Sequence, residues 1–250
     1  MRNRMMAVLP LALAMATTAC SHEGKGEQDG GKRTVDAGPA TTQSYDLKGF
    51  TGVKLAGPDD VVIRQGAAFA ITAKGPKNII DELEIELDGD TLSVGRKTSG
   101  FSFSHRDDDA VRIEVTLPKL VAARLTGSGS IDADTIDGDA VEAIVTGSGD
   151  LKAAKLTGKS VKLSISGSGD IEIGGGTVAS GEYSITGSGS IEAEKLAAQT
   201  LNVSIAGSGD VDAQATGKAD INILGSGDAT IGGGANCTTR AMGSGTATCK

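Results

Sequence analysis

The chain has 250 residues but no Trp, two Tyr and four Phe. A conventional core filled by large rings is excluded, and sugar recognition by stacking on an aromatic platform has little to work with. In the repeat region described below the single aromatic is Tyr183. Histidine is equally scarce: His22 reads as a solvated residue, and His105 has no second His or Cys nearby to complete a metal site. Positive charge is in deficit. The formal net charge is -8, which argues against nucleic acid or an anionic membrane surface as a direct partner. The one apolar run near the start, Ala7 to Ala16, is too short to span a bilayer.

What is abundant is glycine, 37 residues, within a chain that is still 38% hydrophobic. That apolar content is too high for disorder, and small and aliphatic residues in a repetitive interior fit it best. The first nineteen residues read as an export signal: Arg2 and Arg4, the apolar run, then Thr17-Thr18-Ala19 before Cys20. The placement of Cys20 resembles a bacterial lipoprotein signal, in which that Cys becomes the lipidated first residue. Thr17 stands where such signals usually carry Leu, so ordinary signal-peptidase cleavage is the alternative. A buried N-terminal helix is the bland reading of the same stretch. Cleavage before Cys20 would remove Arg2 and Arg4 and take the charge from -8 to -10. Three cysteines is an odd number for an exported chain. With lipid on Cys20, Cys237 and Cys249 are left to pair as a disulfide in an oxidising compartment.

Residues 20–44 are rich in Gly, Lys, Glu, Asp, Thr and Gln and read as a flexible tether. From 45 to 120 the chain alternates at period two, as in Val53 and Leu55, Val61 and Ile63, Phe69 and Ile71, Leu83, Ile85 and Leu87, and Val111 to Leu117. Asp88-Gly89 is a turn signal, and one short helix fits after Pro76. Residues 98–109 read as an exposed loop.

Gly-Ser-Gly then recurs seven times, starting at Gly127, Gly147, Gly167, Gly187, Gly207, Gly225 and Gly243. Spacings of 20 and then 18 residues mark a solenoid. After the motif come an aliphatic column headed by Ile131, Leu151, Ile171, Ile191 and Val211, and a second headed by Ala133, Ala153 and Ile173. Before it stand Leu125, Val145, Ile165, Ile185, Ile205 and Ile223. Val141, Val161, Leu201 and Ala219 are assigned to a third side. The fold expected is all-β: a right-handed parallel β-helix of ~20-residue coils with irregular first coils, residues 45–250 making one domain. Glycine at the corner permits backbone angles closed to other residues and close coil stacking. A serine required seven times, never beside a His, reads as architecture rather than as a nucleophile. One position later stand Asp150, Asp170, Asp210 and Asp228, interspersed with Ser130, Ser190 and Thr246. They either bond turn amides or hold a cation such as calcium between them. Cys237 and Cys249 fall on inward columns of successive sides, where a disulfide would staple the last turn.

The stretches Phe50-Thr51-Gly52-Val53-Lys54-Leu55, Asp60-Val61-Val62-Ile63-Arg64-Gln65-Gly66, Asp88-Gly89-Asp90-Thr91-Leu92 and Val115-Thr116-Leu117-Pro118-Lys119-Leu120, leading into Gly127-Ser128-Gly129-Ser130, resemble the GIN-domain family. The resemblance covers residues 45 to 235. It implies a β-helical protein of the bacterial envelope, an adhesin head, with no catalytic residues to carry over; no cofactor is expected, calcium at the Asp column apart. The function expected is a non-enzymatic envelope module for adhesion or scaffolding, periplasmic or on the outer membrane. It is held to the membrane through Cys20, with an envelope protein or a glycan as partner. A polysaccharide-binding or polysaccharide-degrading β-helix and a self-associating structural protein are the alternatives.

Overall fold

The computed structural model describes residues 39–97 and 111–250. The signal segment, Cys20, His22 and the loop carrying His105 lie outside the described residues. No helix among the described residues is long and apolar enough to cross a membrane.

The first part of the chain supplies β1 (Ala40–Tyr45), β2 (Gly52–Gly57), β3 (Asp60–Gln65), β4 (Ala70–Pro76), the single turn of helix α1 (Lys77–Ile80), β5 (Leu83–Asp88), β6 (Thr91–Arg96) and β7 (Arg112–Leu117). The helix sits where Pro76 permits it, burying Ile79 and Ile80. The repeat supplies β8 (Ala122–Gly127), β9 (Ser130–Gly147), β10 (Asp150–Gly167), β11 (Asp170–Ile173), β12 (Gly176–Gly187), β13 (Ser190–Gly207), β14 (Asp210–Gly225), β15 (Ala229–Gly232), β16 (Asn236–Gly243) and β17 (Ala247–Cys249). Together they form a β-solenoid of about six turns of ~20 residues.

Consecutive coils of the repeat pair parallel and in register, Leu151 on Ile131 and Ile171, Ile165 on Val145 and Ile185. Side chains in one column therefore stack at the strand spacing, about 4.8 Å. The register of β10 on β9 skips residues 154 and 159, which marks two corners besides the Gly-Ser-Gly one. The three sides run over 150–153, 155–158 and 160–167. This corrects one expectation. Val141, Val161, Leu201 and Ala219 share a side with the column before the motif, because alternation runs unbroken through buried Val161, Leu163 and Ile165. The separate short side is lined instead by Ile136, Leu156 and Leu196, all fully buried.

Tyr183 belongs to this interior as well, with no solvent exposure and no hydrogen-bond partner for its hydroxyl among the described residues, and burial raises its pKa. Its coil compensates for the ring. Gly181 stands where other coils place Val141, Val161 and Leu201, and a Cβ there would meet Leu201 Cδ1 at 2.9 Å and Tyr183 Cε1 at 3.1 Å. Close packing makes the aromatic and the glycine a matched pair.

The first coils do not stack in chain order. β2 lies between β6 and β8, and β3 between β7 and β9, all parallel, so the coil made of β6 and β7 is outermost although it follows in sequence. Antiparallel strands close this end: β4 on β7, β1 on β4, and β5 on β6 through the Asp88-Gly89 turn. Two differences from expectation follow. Ala40–Tyr45 is a strand rather than tether, fixed by backbone pairing of a polar segment, and Leu87 at the hairpin end is 38% exposed.

Candidate functional site

Each corner is built twice over from glycine. The first Gly of the motif has φ between +122° and +137° from Gly127 to Gly243. Its carbonyl accepts amide protons from the next coil: Gly147 O takes Ser168 N–H at 2.8 Å and Gly169 N–H at 3.1 Å. At the second Gly an added Cβ would strike the coil below, 2.1 Å from Gly149 O for Gly169 and 2.2 Å from Gly129 O for Gly149. The serines between them, Ser148, Ser168 and Ser188 among them, face solvent.

An eighth corner precedes the seven. Gly57-Pro58-Asp59 stacks under Gly127-Ser128-Gly129, with Gly57 at φ +143°. Asp59 is the one buried charged residue described. Arg96 grips its carboxylate from both sides, Nη2 to Oδ1 at 2.6 Å and Nε to Oδ2 at 3.0 Å, while Val111 N–H donates to Oδ1 at 3.0 Å. One carboxylate thus ties together Arg96 and Val111, which flank residues 98–110. Only the leading glycine of the motif survives there, so pattern matching on Gly-Ser-Gly passes over it.

The aspartate column is used for capping amides. Asp170 Oδ1 accepts Ser190 N–H at 2.9 Å and its hydroxyl at 2.8 Å. Asp210 Oδ1 accepts Asp228 N–H at 2.9 Å, and Asp228 Oδ1 accepts the hydroxyl and amide of Thr246 at 2.7 and 2.8 Å. Those bonds from Thr246 lower the pKa of Asp228. Asp150 stands in register with Asp170. Among the described residues no three His, Cys, Asp or Glu side chains are grouped to hold a metal ion. Cys237 and Cys249 are joined by a disulfide across the last turn, with their Cα atoms 6.6 Å apart.

The outer faces differ sharply in charge. On the side following each corner, Glu172, Glu192 and Asp212 form one column beside that of Asp150, Asp170, Asp210 and Asp228. Its one cation within the column, Lys152, bonds Glu172 at 2.8 Å, and that bond raises the lysine pKa. The side that leads into each corner is nearly neutral and rich in hydroxyls, with Ser184 Oγ donating to Ser164 Oγ at 2.9 Å. A groove of about 470 Å³ runs along the start of that side, from Gly52 and Thr91 past Arg124, Glu142, Lys162 and Glu182 to Asn202. Val161 and Gly181 also line it. The residues that line it are twenty apart, so the period carries the signal once the column is read outward as well as inward.

Residues 49–235 match the family described as "putative auto-transporter adhesin, head GIN domain". The chain belongs to the GIN-domain family. Solved structures repeat the fold of this GIN domain. A "putative adhesin" from Bacteroides fragilis NCTC 9343 superimposes with a TM-score of 0.72 at 21% identity, covering 85% of this chain and 97% of that one. One from Parabacteroides merdae ATCC 43184 gives 0.67 at 21% identity with the same coverage. A "putative lipid binding protein" from Parabacteroides distasonis ATCC 8503 gives 0.66 at 25% identity, again covering 85% and 97%. No curated protein matches this sequence.

Proposed function

We propose that this GIN domain is a non-enzymatic adhesion or scaffolding module of the bacterial envelope, exported by residues 1–19 and held to a membrane by lipid on Cys20. The observation that carries the reading is the division of labour in the solenoid. Its long aliphatic columns point inward, and apart from the exposed pair Leu224 and Met242 near the last coil its outer faces present mainly polar columns at strand spacing, with a groove along one of them. Family membership and the adhesin descriptions of structural relatives support the same class. Burial of Tyr183 weakens the polysaccharide alternative, since the aromatic of the repeat offers no surface for a sugar ring.

Metabolic labelling with a fatty acid, followed by cell fractionation, tests the anchor. The wild-type chain is expected in the membrane fraction with label, and Cys20→Ala unlabelled and released. An unlabelled wild-type protein in the soluble cytoplasmic fraction would sink the proposal. Display of the chain on a non-adherent bacterium tests the module: unchanged attachment to envelope material relative to an empty display would count against adhesion.

A further inference from the structure

The groove on the near-neutral side contains an opposite-charge couple that the fold leaves open. Lys162 stands in register with Glu142 on one side and Glu182 on the other. Two other such couples on adjacent rungs close into ion pairs, Lys152 with Glu172 at 2.8 Å and Lys159 with Asp139 at 2.9 Å, whereas Arg112, in register with Asp60, turns to Glu114 instead. In the groove, Glu142 is taken by Arg124 from the preceding coil. Lys162 and Glu182 have no ion pair or hydrogen bond among the described residues, although both line the cavity.

An ammonium and a carboxylate on adjacent rungs are separated at their backbones by about 4.8 Å. They are complementary to a ligand whose own anionic and cationic groups lie about one strand spacing apart. The cavity of about 470 Å³ is in the range of small-molecule sites. Its lining is mixed, with Val121, Ala122, Ala140, Val141 and Val161 beside Thr91, Arg124, Glu142, Lys162, Glu182 and Asn202, and the four charged side chains among these suit a head group with hydrogen-bonding oxygens better than an acyl chain. No aromatic stands among the described residues that line the groove, which removes cation–π capture of a quaternary ammonium there and favours a primary one that can donate hydrogen bonds to a carboxylate.

We infer that the groove binds a zwitterionic phosphoethanolamine group, its phosphate on Lys162 and its ammonium on Glu182. The inference rests on the reading of the chain as a binding module and names what this groove would take. The group could come from a membrane lipid or from a soluble or glycan-borne ester. Calorimetric titration of the full chain with glycerophosphoethanolamine, and co-sedimentation with phosphatidylethanolamine or phosphatidylglycerol vesicles, separates the sources. Binding to both the soluble ester and phosphatidylethanolamine vesicles points to a lipid head group, and binding to the soluble ester alone to a free or glycan-borne one. Lys162→Gln and Glu182→Gln are each expected to weaken binding at least tenfold. The exchanged double variant, Lys162→Glu with Glu182→Lys, should recover part of it with the ligand reversed. Lys152→Gln, on the acidic side, should change nothing.

Equal binding by wild type and the two single variants would overturn the inference, as would glycerol phosphate competing as well as the zwitterion, which would indicate a simple anion site. No binding by wild type to either probe would also overturn it. Attachment by a wild-type chain that binds neither probe would leave the module reading standing while removing this ligand.

Discussion

Replacing Gly169 by Ala adds one methyl group to the corner of the central coils. That carbon would sit 2.1 Å from Gly149 O, 2.8 Å from Val145 Cγ1 and 3.1 Å from Gly149 N. The oxygen is backbone and cannot swing aside, so the two coils must part. Parting them stretches the bonds from Ser168 and Gly169 to Gly147 O, 2.8 and 3.1 Å long in the native corner. Two bonds at about 1 kcal/mol net each, plus about 1–3 kcal/mol for overpacking, give a loss of about 4 kcal/mol. Gly167→Ala should cost at least as much, since a φ of +136° adds backbone strain to a contact of 2.2 Å with Gly147 O. Two controls isolate the causes. Gly89→Ala places Cβ in open space at φ +63° and should cost about 1–2 kcal/mol from conformation alone. Ser168→Ala, at an exposed side chain, should stay within about 0.5 kcal/mol. With no Trp in the chain, urea titration followed by far-ultraviolet circular dichroism is the assay. A Gly169→Ala midpoint equal to that of Ser168→Ala would refute the stacking argument.

Further outcomes follow from the ends of the solenoid. Cys249→Ser opens the disulfide to Cys237, a separation of 12 residues, and should cost ~3 kcal/mol in the chain-entropy model, read as a lower denaturation midpoint matched by reduced wild type. Asp59→Asn removes the buried carboxylate from its clamp with Arg96 and should destabilise by about 3–5 kcal/mol; an effect under 1 kcal/mol would show that the clamp is dispensable. Asp228 has a lowered native pKa, so its bonds to Thr246 favour the fold above the ordinary carboxylate range and that contribution fades as the pH falls below about 4. Asp228→Asn should therefore flatten the acid limb of a melting-temperature profile, and an unchanged limb would count against it.

Much of the fold was legible because the period turns a long-range question into a local one. Once residues twenty apart are known to touch, the columns of Leu151, Ala153 and Ile165, the glycine corner and the position of Cys237 above Ala219 follow from counting. The count fails wherever register is decided without a side-chain signature. Ala40–Tyr45 is polar and mostly exposed, held by backbone bonds to β4, and it resembles the tether before it. Alternation in Val61 to Ile63 and Val111 to Leu117 marks strands but not their order, which is set by the antiparallel excursion through β4 and the β5–β6 hairpin. Asp59 reads as half of an Asp-Asp pair near a turn, and its burial depends on Arg96, 37 residues away.

The candidate groove was harder to see because it depends on contrast between columns. A repeat that stacks like residues inside must also stack whatever lies outside, and like charges on adjacent rungs are unfavourable. On the acidic side the chain accepts that cost, placing Glu172, Glu192 and Asp212 in succession with Lys152 as the lone counter-charge in the column. On the neutral side the corresponding column reads Glu142, Lys162, Glu182, Asn202, so that Lys162 has a carboxylate on each side. Glu142 is taken instead by Arg124 from the neighbouring column. An alternating column that leaves its central couple open has the charges for stabilisation but does not use them internally. That is the argument for looking to an external ligand at Lys162 and Glu182 before the more highly charged face, where repulsion already accounts for the open carboxylates.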